Sequence, residues 1–147
     1  MENISISEGG QGELAAYIFM PESDCRYVLI ICHGFRGAKE NSGRIFTFAE
    51  KLIKLGLGVL AFDFSGSGAS DGDFADISLS SQARDLRRVI DYVQSNYNRQ
   101  VILLGRSFGG STVLAAVGDN EKVAGYIFWS TPVKLHETFT GIVEEFA

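Results

Sequence analysis

The sequence predicts an α/β fold: a mostly parallel sheet with helices on both faces and an antiparallel hairpin at its amino end. Three observations predict it. Apolar, β-branched runs at residues 27–32, 59–62 and 101–104 have the unbroken character of strands buried on both faces. Segments with helical spacing separate those runs, and such alternation argues for parallel pairing. Ahead of them, Ile4 and Ile6 alternate with polar neighbours, and the turn Gly9-Gly10-Gln11-Gly12 leads into a second strand over residues 14–20.

The remaining elements follow in order. Residues 21–24 form a loop before the 27–32 strand. Ile45, Phe48, Ala49, Leu52, Ile53 and Leu55 fit a helix that stops near Gly56 or Gly58. Leu79, Ala83, Leu86, Ile90 and Val93 lie on one face of a second helix, which Ser78 or Ser80 can cap. A third helix, small and apolar, runs from Ser107 to Val117, and a last strand covers residues 123–129. Residues 131–147 carry only a weak helical stripe of Leu135, Phe139, Ile142 and Phe146.

Composition narrows the function classes. A chain of 147 residues suits one domain. Eighteen acidic against 13 basic residues leave a net charge of −5, and no basic run exceeds Arg87-Arg88, so no nucleic-acid partner is expected. Apolar runs such as residues 28–32 fall far short of the roughly 20 residues that span a bilayer. The start, Met1-Glu2-Asn3-Ile4-Ser5, lacks the basic and apolar segments of a signal peptide. Cys25 and Cys32, on an extended segment, lie roughly 23 Å apart and cannot pair. A reduced, cytoplasmic protein is expected.

The 17 glycines exceed the usual share of about 7% and follow no collagen-like period, so they mark turns and close backbone approaches. They concentrate in three segments beyond the carboxyl ends of strands, where open α/β sheets bind ligands. Gly105-Arg106-Ser107-Phe108-Gly109 stands between a strand and a helix. A serine on so sharp a turn adopts a strained backbone, and glycines two residues away on either side remove the collisions. Ser107 is therefore the candidate nucleophile; the plainer reading is a serine that caps the helix. His33-Gly34-Phe35-Arg36-Gly37 follows a neighbouring strand, and the backbone N–H groups of Phe35 and Phe108 are the candidate oxyanion donors. His33 invites a general-base reading, but its place before Gly34 fits a structural role better. Asp63-Phe64-Ser65-Gly66-Ser67-Gly68-Ala69-Ser70-Asp71-Gly72 lacks the sixth-position glycine of a dinucleotide fingerprint, and no phosphate-loop motif occurs. That segment is expected to shape the pocket floor. No cofactor and no metal are expected.

Together these three motifs resemble the α/β-hydrolase superfamily, and within it the feruloyl/cinnamoyl esterase-like carboxylesterases and the serine aminopeptidase-like hydrolases. The likeness spans roughly residues 25–130. It implies a serine esterase or amidase acting through an acyl-enzyme on Ser107, with His33, Gly34, Gly105 and Gly109 as motif support and a small ester or amide as substrate. Members commonly carry His before the serine; Arg106 stands there instead, a tolerable departure expected to alter the pocket charge.

The resemblance also implies a triad in the order Ser, acid, His. After Ser107 the chain holds one histidine, His136, and the acids Asp119, Glu121, Glu137, Glu144 and Glu145. The family places its acid and histidine beyond two further core strands and a cap. Residues 1–130 thus read as an incomplete hydrolase core, and 131–147 as the start of the cap or a tail. Asp119 and Glu121 are expected on the far side of the sheet from Ser107, and His136 on the cap surface rather than as base; the triad acid and base stay unassigned. An edge strand at 123–129 left bare invites self-association or a partner that supplies the missing strands. The alternative function is a non-catalytic hydrolase-like domain that binds an acyl ligand or a protein partner.

Overall fold

The computed structural model describes residues 1–118 and 120–132. Its elements are β1 (Glu2–Ile6), β2 (Leu14–Phe19), β3 (Tyr27–Cys32), α1 (Arg44–Lys54), β4 (Gly58–Phe62), α2 (Leu79–Tyr97), β5 (Gln100–Arg106), α3 (Phe108–Val117) and β6 (Val123–Trp129), with a short 3₁₀ turn at Phe74–Asp76. All six strands form one sheet in the order β1-β2-β4-β3-β5-β6. β1 pairs β2, and β2 pairs β4, antiparallel; the β4–β3, β3–β5 and β5–β6 pairs are parallel.

The strand period of two sorts side chains into two layers. From β4, Val59 and Ala61 meet Ile45 and Ala49 of α1. Leu60 and Phe62 point the other way, into a larger cluster with Leu86, Ile90 and Val93 of α2 and Val113 and Val117 of α3. Among the described residues, one helix thus covers one face and two cover the other. This is why β3 and β4 read as continuous apolar runs.

Local signals set the helix ends. At the end of α1, Gly56 sits at φ +83°, Gly56 N–H donates to Ile53 O and Leu57 N–H to Leu52 O. That double bond is the Schellman arrangement, and its left-handed residue is why the helix stops at a glycine. At the start of α2, Ser78 accepts from Ser81 N–H at 3.0 Å while the Ser81 hydroxyl accepts from Ser78 N–H at 2.9 Å. Of the two expected caps, Ser78 serves.

Two long-range polar contacts hold the periphery to this frame. The buried Arg88 guanidinium donates to Ile6 O and Gly12 O, at 3.1 and 2.7 Å, and so fastens the β1–β2 hairpin to α2. Asp85 accepts from Ser65 N–H at 2.8 Å and anchors the segment after β4. Cys25 and Cys32 are buried and unpaired. Of the 131–147 segment, residues 133–147, including Leu135, Phe139, Ile142 and Phe146, lie outside the described residues.

Candidate active site

Ser107 stands at the junction of β5 and α3 with φ +51° and ψ −122°, a left-handed conformation that costs a non-glycine residue free energy. The neighbours hold it there. Ser107 N–H donates to Trp129 O at 2.9 Å, and Ser107 O accepts from Gly110 N–H at 3.0 Å. The flanking glycines are needed for close approach. A Cβ on Gly109 would collide with Cys32 O, and one on Gly105 with Gly110 Cα. The strand-to-helix turn is therefore wedged against the end of β3.

The segment after β3 lies directly beside the serine. A Cβ on Gly34 would sit 3.1 Å from Ser107 Cβ and 3.7 Å from Ser107 Oγ. Gly37 N–H donates to Gly34 O at 2.9 Å, closing a tight turn that carries Phe35 and Arg36. Phe35 is exposed and tilts against Phe74, ring centroids 5.7 Å apart. Phe108 is the first residue of α3, so Phe35 and Phe108 lie on the two segments that flank Ser107.

His33 is buried beneath this turn. Its Nε2 accepts from Phe64 N–H at 3.1 Å and its Nδ1 lies 2.8 Å from Gly34 O. An acceptor at Nε2 leaves the proton on Nδ1, which donates to that carbonyl. Burial pulls the imidazole below its ordinary pKa, favouring the neutral form; Gly34 O and the Asp63 charge oppose that shift. With both ring nitrogens engaged, His33 joins the β3 and β4 loops.

The Asp63–Gly72 segment does something other than floor the pocket. None of its residues lines the cavity beside Ser107. Asp63, fully buried, accepts from Lys39 Nζ at 2.8 Å, Lys39 N–H at 2.6 Å and Ala69 N–H at 3.0 Å. Asp71 N–H donates to Glu13 O at 2.9 Å, and Asp71 Oδ2 accepts from Glu13 N–H at 2.8 Å. These bonds draw the loop toward the hairpin, so it buttresses the site from behind. Lys39 Nζ also meets Glu40 Oε1 at 2.8 Å, and Glu40 accepts from Tyr17 O–H at 3.1 Å. Burial alone would lower the Lys39 ammonium, but its bonds to Asp63 and Glu40 outweigh that and raise it. No spacing rule pairs Lys39 with Asp63 or Asp85 with Ser65, because those partners are distant in sequence.

A cavity of about 690 Å³ opens beside Ser107, lined among others by Phe35, Phe48, Leu104 and Trp129. Glu121 is far from it. Gln100 Nε2 donates to Glu121 O at 3.4 Å, which places Glu121 at the start of β5, and Ser107 lies past the other end of that strand. Asp119, His136, Glu137, Glu144 and Glu145 lie outside the described residues. Among the described residues, no cluster of His, Cys, Asp and Glu has metal-binding geometry, and no helix is long and apolar enough to cross a membrane.

Comparison with known proteins agrees with this architecture. The sequence model of the family described as "Serine aminopeptidase, S33" matches residues 23–147. Rat (Rattus norvegicus) monoglyceride lipase is 31% identical over 128 residues, covering 85% of this chain and 41% of that protein. The solved structure of Est1E from Butyrivibrio proteoclasticus with ferulic acid is 31% identical, with a TM-score of 0.69 over 78% of this chain and 46% of that one. The Pyrococcus furiosus esterase Pf2001, at 22% identity and a TM-score of 0.83, shares the fold over 99% of this chain and 54% of its own. This chain spans 38–41% of the length of the first curated relatives it matches. It belongs to the serine aminopeptidase family of α/β-hydrolases.

Proposed function

We propose that this chain carries the nucleophile half of a serine hydrolase acting on small esters or amides, of the carboxylesterase type. The observation that carries the reading is the left-handed Ser107 between β5 and α3, a strain that a mere helix cap does not require. In this mechanism Ser107 Oγ attacks the substrate carbonyl carbon, its proton passing to a general base. The tetrahedral oxyanion is held by the N–H groups of Phe35 and Phe108, and collapse expels the alcohol or amine to leave an acyl-enzyme. Water then hydrolyses that ester. Residues 1–130 form the incomplete core of this unit.

His33 is not the base in this reading, because both its ring nitrogens are taken by Phe64 N–H and Gly34 O. His33, Gly34, Gly105 and Gly109 shape and support the site, while the triad acid and base are assigned to no residue. That same observation favours a second reading for this chain alone, a hydrolase-like domain that binds an acyl ligand or a protein partner without turnover. The unpaired, buried Cys25 and Cys32 fit a reducing compartment such as the cytoplasm.

A fluorophosphonate probe separates the two readings. Under the first, the wild-type chain is labelled and hydrolyses a short-chain aryl ester, and Ser107→Ala abolishes both. Labelling and turnover that do not depend on Ser107 sink it.

A further inference from the structure

The cavity beside Ser107 has a charge opposite to that of the chain. Although the protein carries a net charge of −5, Arg36, Arg44 and Arg106 line this cavity, and among the described residues no Asp or Glu does. Lys39 also lines it, but its ammonium is taken by Asp63 and Glu40, a group that sums to −1 behind the wall. The three arginines have no carboxylate partner among the described residues.

Arg106 immediately precedes Ser107, and its position is fixed by an uncharged partner. Its Nη1 donates to Asn41 Oδ1 at 2.6 Å. Such a bond orients the guanidinium and leaves its charge uncompensated. The partner sits on unusual backbone: Asn41, Ser42 and Gly43 are left-handed in succession, at φ +46°, +56° and +80°. Two of these are non-glycine residues, and strain of this kind persists where surrounding structure enforces it, often at binding sites. Arg36 is left-handed too, at φ +57°, with its guanidinium carbon 5.8 Å from the centre of the Phe35 ring.

We propose that this cavity is an anion subsite, which recognises a carboxylate borne on the substrate at a distance from the scissile bond. Arg106 is its central residue, with Arg36 and Arg44 reinforcing the field. A guanidinium offers a planar fork that matches a carboxylate, and its charge-assisted bonds are stronger than neutral ones. The proposal rests on the hydrolase reading for the substrate being an ester or amide. It names the class: acyl or alcohol groups that end in a carboxylate. Because the arginines are exposed, the attraction is screened by salt.

The test measures binding apart from turnover. Ser107→Ala protein is titrated calorimetrically with N-phenyl glutaramic acid, a carboxylate, and with N-phenylpentanamide, its neutral counterpart of matched length. We expect the carboxylate to bind about tenfold tighter at low salt. That preference shrinks at high salt and in Arg106→Gln, and persists in Arg106→Lys. Circular dichroism of each variant confirms that its fold is retained. Equal affinity for the two probes, binding of neither, or a preference that survives joint replacement of Arg36, Arg44 and Arg106 by Gln overturns the subsite. Failure of the hydrolase reading shows elsewhere, as fluorophosphonate labelling of the wild-type chain that ignores Ser107.

Discussion

Lys39 Nζ and Asp63 Oδ2 form a buried ion pair, 2.8 Å apart, that joins the segment after β3 to the segment after β4. Removing two charges from water is costly, and attraction offsets that cost only when the remaining hydrogen-bond capacity is filled. Here Asp63 also accepts two backbone N–H groups, from Lys39 and Ala69. Breaking one partner strands the other. We expect Lys39→Met to destabilise the protein by about 3–5 kcal/mol, with the pair Lys39→Met and Asp63→Leu costing less than the two single changes summed. Urea unfolding of the four proteins in the cycle measures it. Additive losses would show that the two residues do not act as a pair.

His33 predicts an acid-sensitive fold. Its imidazole titrates lower in the folded than in the unfolded chain, chiefly because it is buried. Between the two values the unfolded chain binds more protons, so stability falls as pH drops below about 6.5 and levels off beneath the folded value. Glu40 is opposite in origin and acts lower. Burial alone would raise it, but bonds from Lys39 outweigh that, so its stabilisation is lost as pH falls through its lowered value. Denaturation midpoints at pH 5.5 and 7.5 isolate His33. We expect His33→Gln, which keeps an acceptor for Phe64 N–H, to be less stable at pH 7.5 yet flat across this range. A wild-type midpoint that does not change would contradict the assignment.

The turn at Ser107 is expected to trade stability for geometry. A glycine adopts φ +51° without the steric penalty that serine meets. Ser107→Gly should therefore be about 1 kcal/mol more stable than Ser107→Ala, since alanine keeps the strained Cβ. Thermal or urea unfolding of the two variants side by side decides it. Equal stabilities would mean that the strain is not stored at this residue.

Glycines of this chain divide into those a methyl group would wreck and those it would not. At Gly109 the added Cβ meets Cys32 O, a backbone atom that cannot step aside. At Gly125, in β6, it meets nothing within 4 Å. We expect Gly109→Ala to be destabilised by more than about 3 kcal/mol or to express insolubly, and Gly125→Ala to stay within about 1 kcal/mol of wild type. Soluble yield followed by urea titration tests the contrast.

Legibility in the sequence depends on the range of the interactions. The strands over 27–32 and 123–129, the glycine stop of α1 and the Ser78 cap are local signals of period, propensity or turn chemistry, and the chain folds accordingly. The sharp turn at Ser107 is legible because it demands glycines at fixed offsets. The polar frame was not. Arg88 reaches carbonyls at Ile6 and Gly12, and Lys39 reaches Asp63, through folding alone. The expected pocket floor failed for the same reason: the bonds that pull residues 63–72 toward Glu13 and away from the cavity leave no trace in spacing.

β6 carries the last prediction. It pairs with β5 on one side, and among the described residues no strand takes the other. Tyr126, Ile127, Phe128 and Trp129 are 44%, 47%, 46% and 59% exposed, so both faces of the strand are open as well as its edge. Tyr126 and Phe128 stack on one face, nearly parallel at 3°. A long apolar edge of this kind pairs readily with another strand, because its N–H and C=O groups already lie in ladder register. For this chain in isolation we propose a second copy as the partner, edge to edge. Sedimentation velocity across a concentration series should show association that Phe128→Lys reduces, since a charge at the edge opposes pairing. Ile127→Lys, on the opposite face, should reduce it too. A wild-type chain that stays monomeric at every concentration removes the edge as an interface between copies.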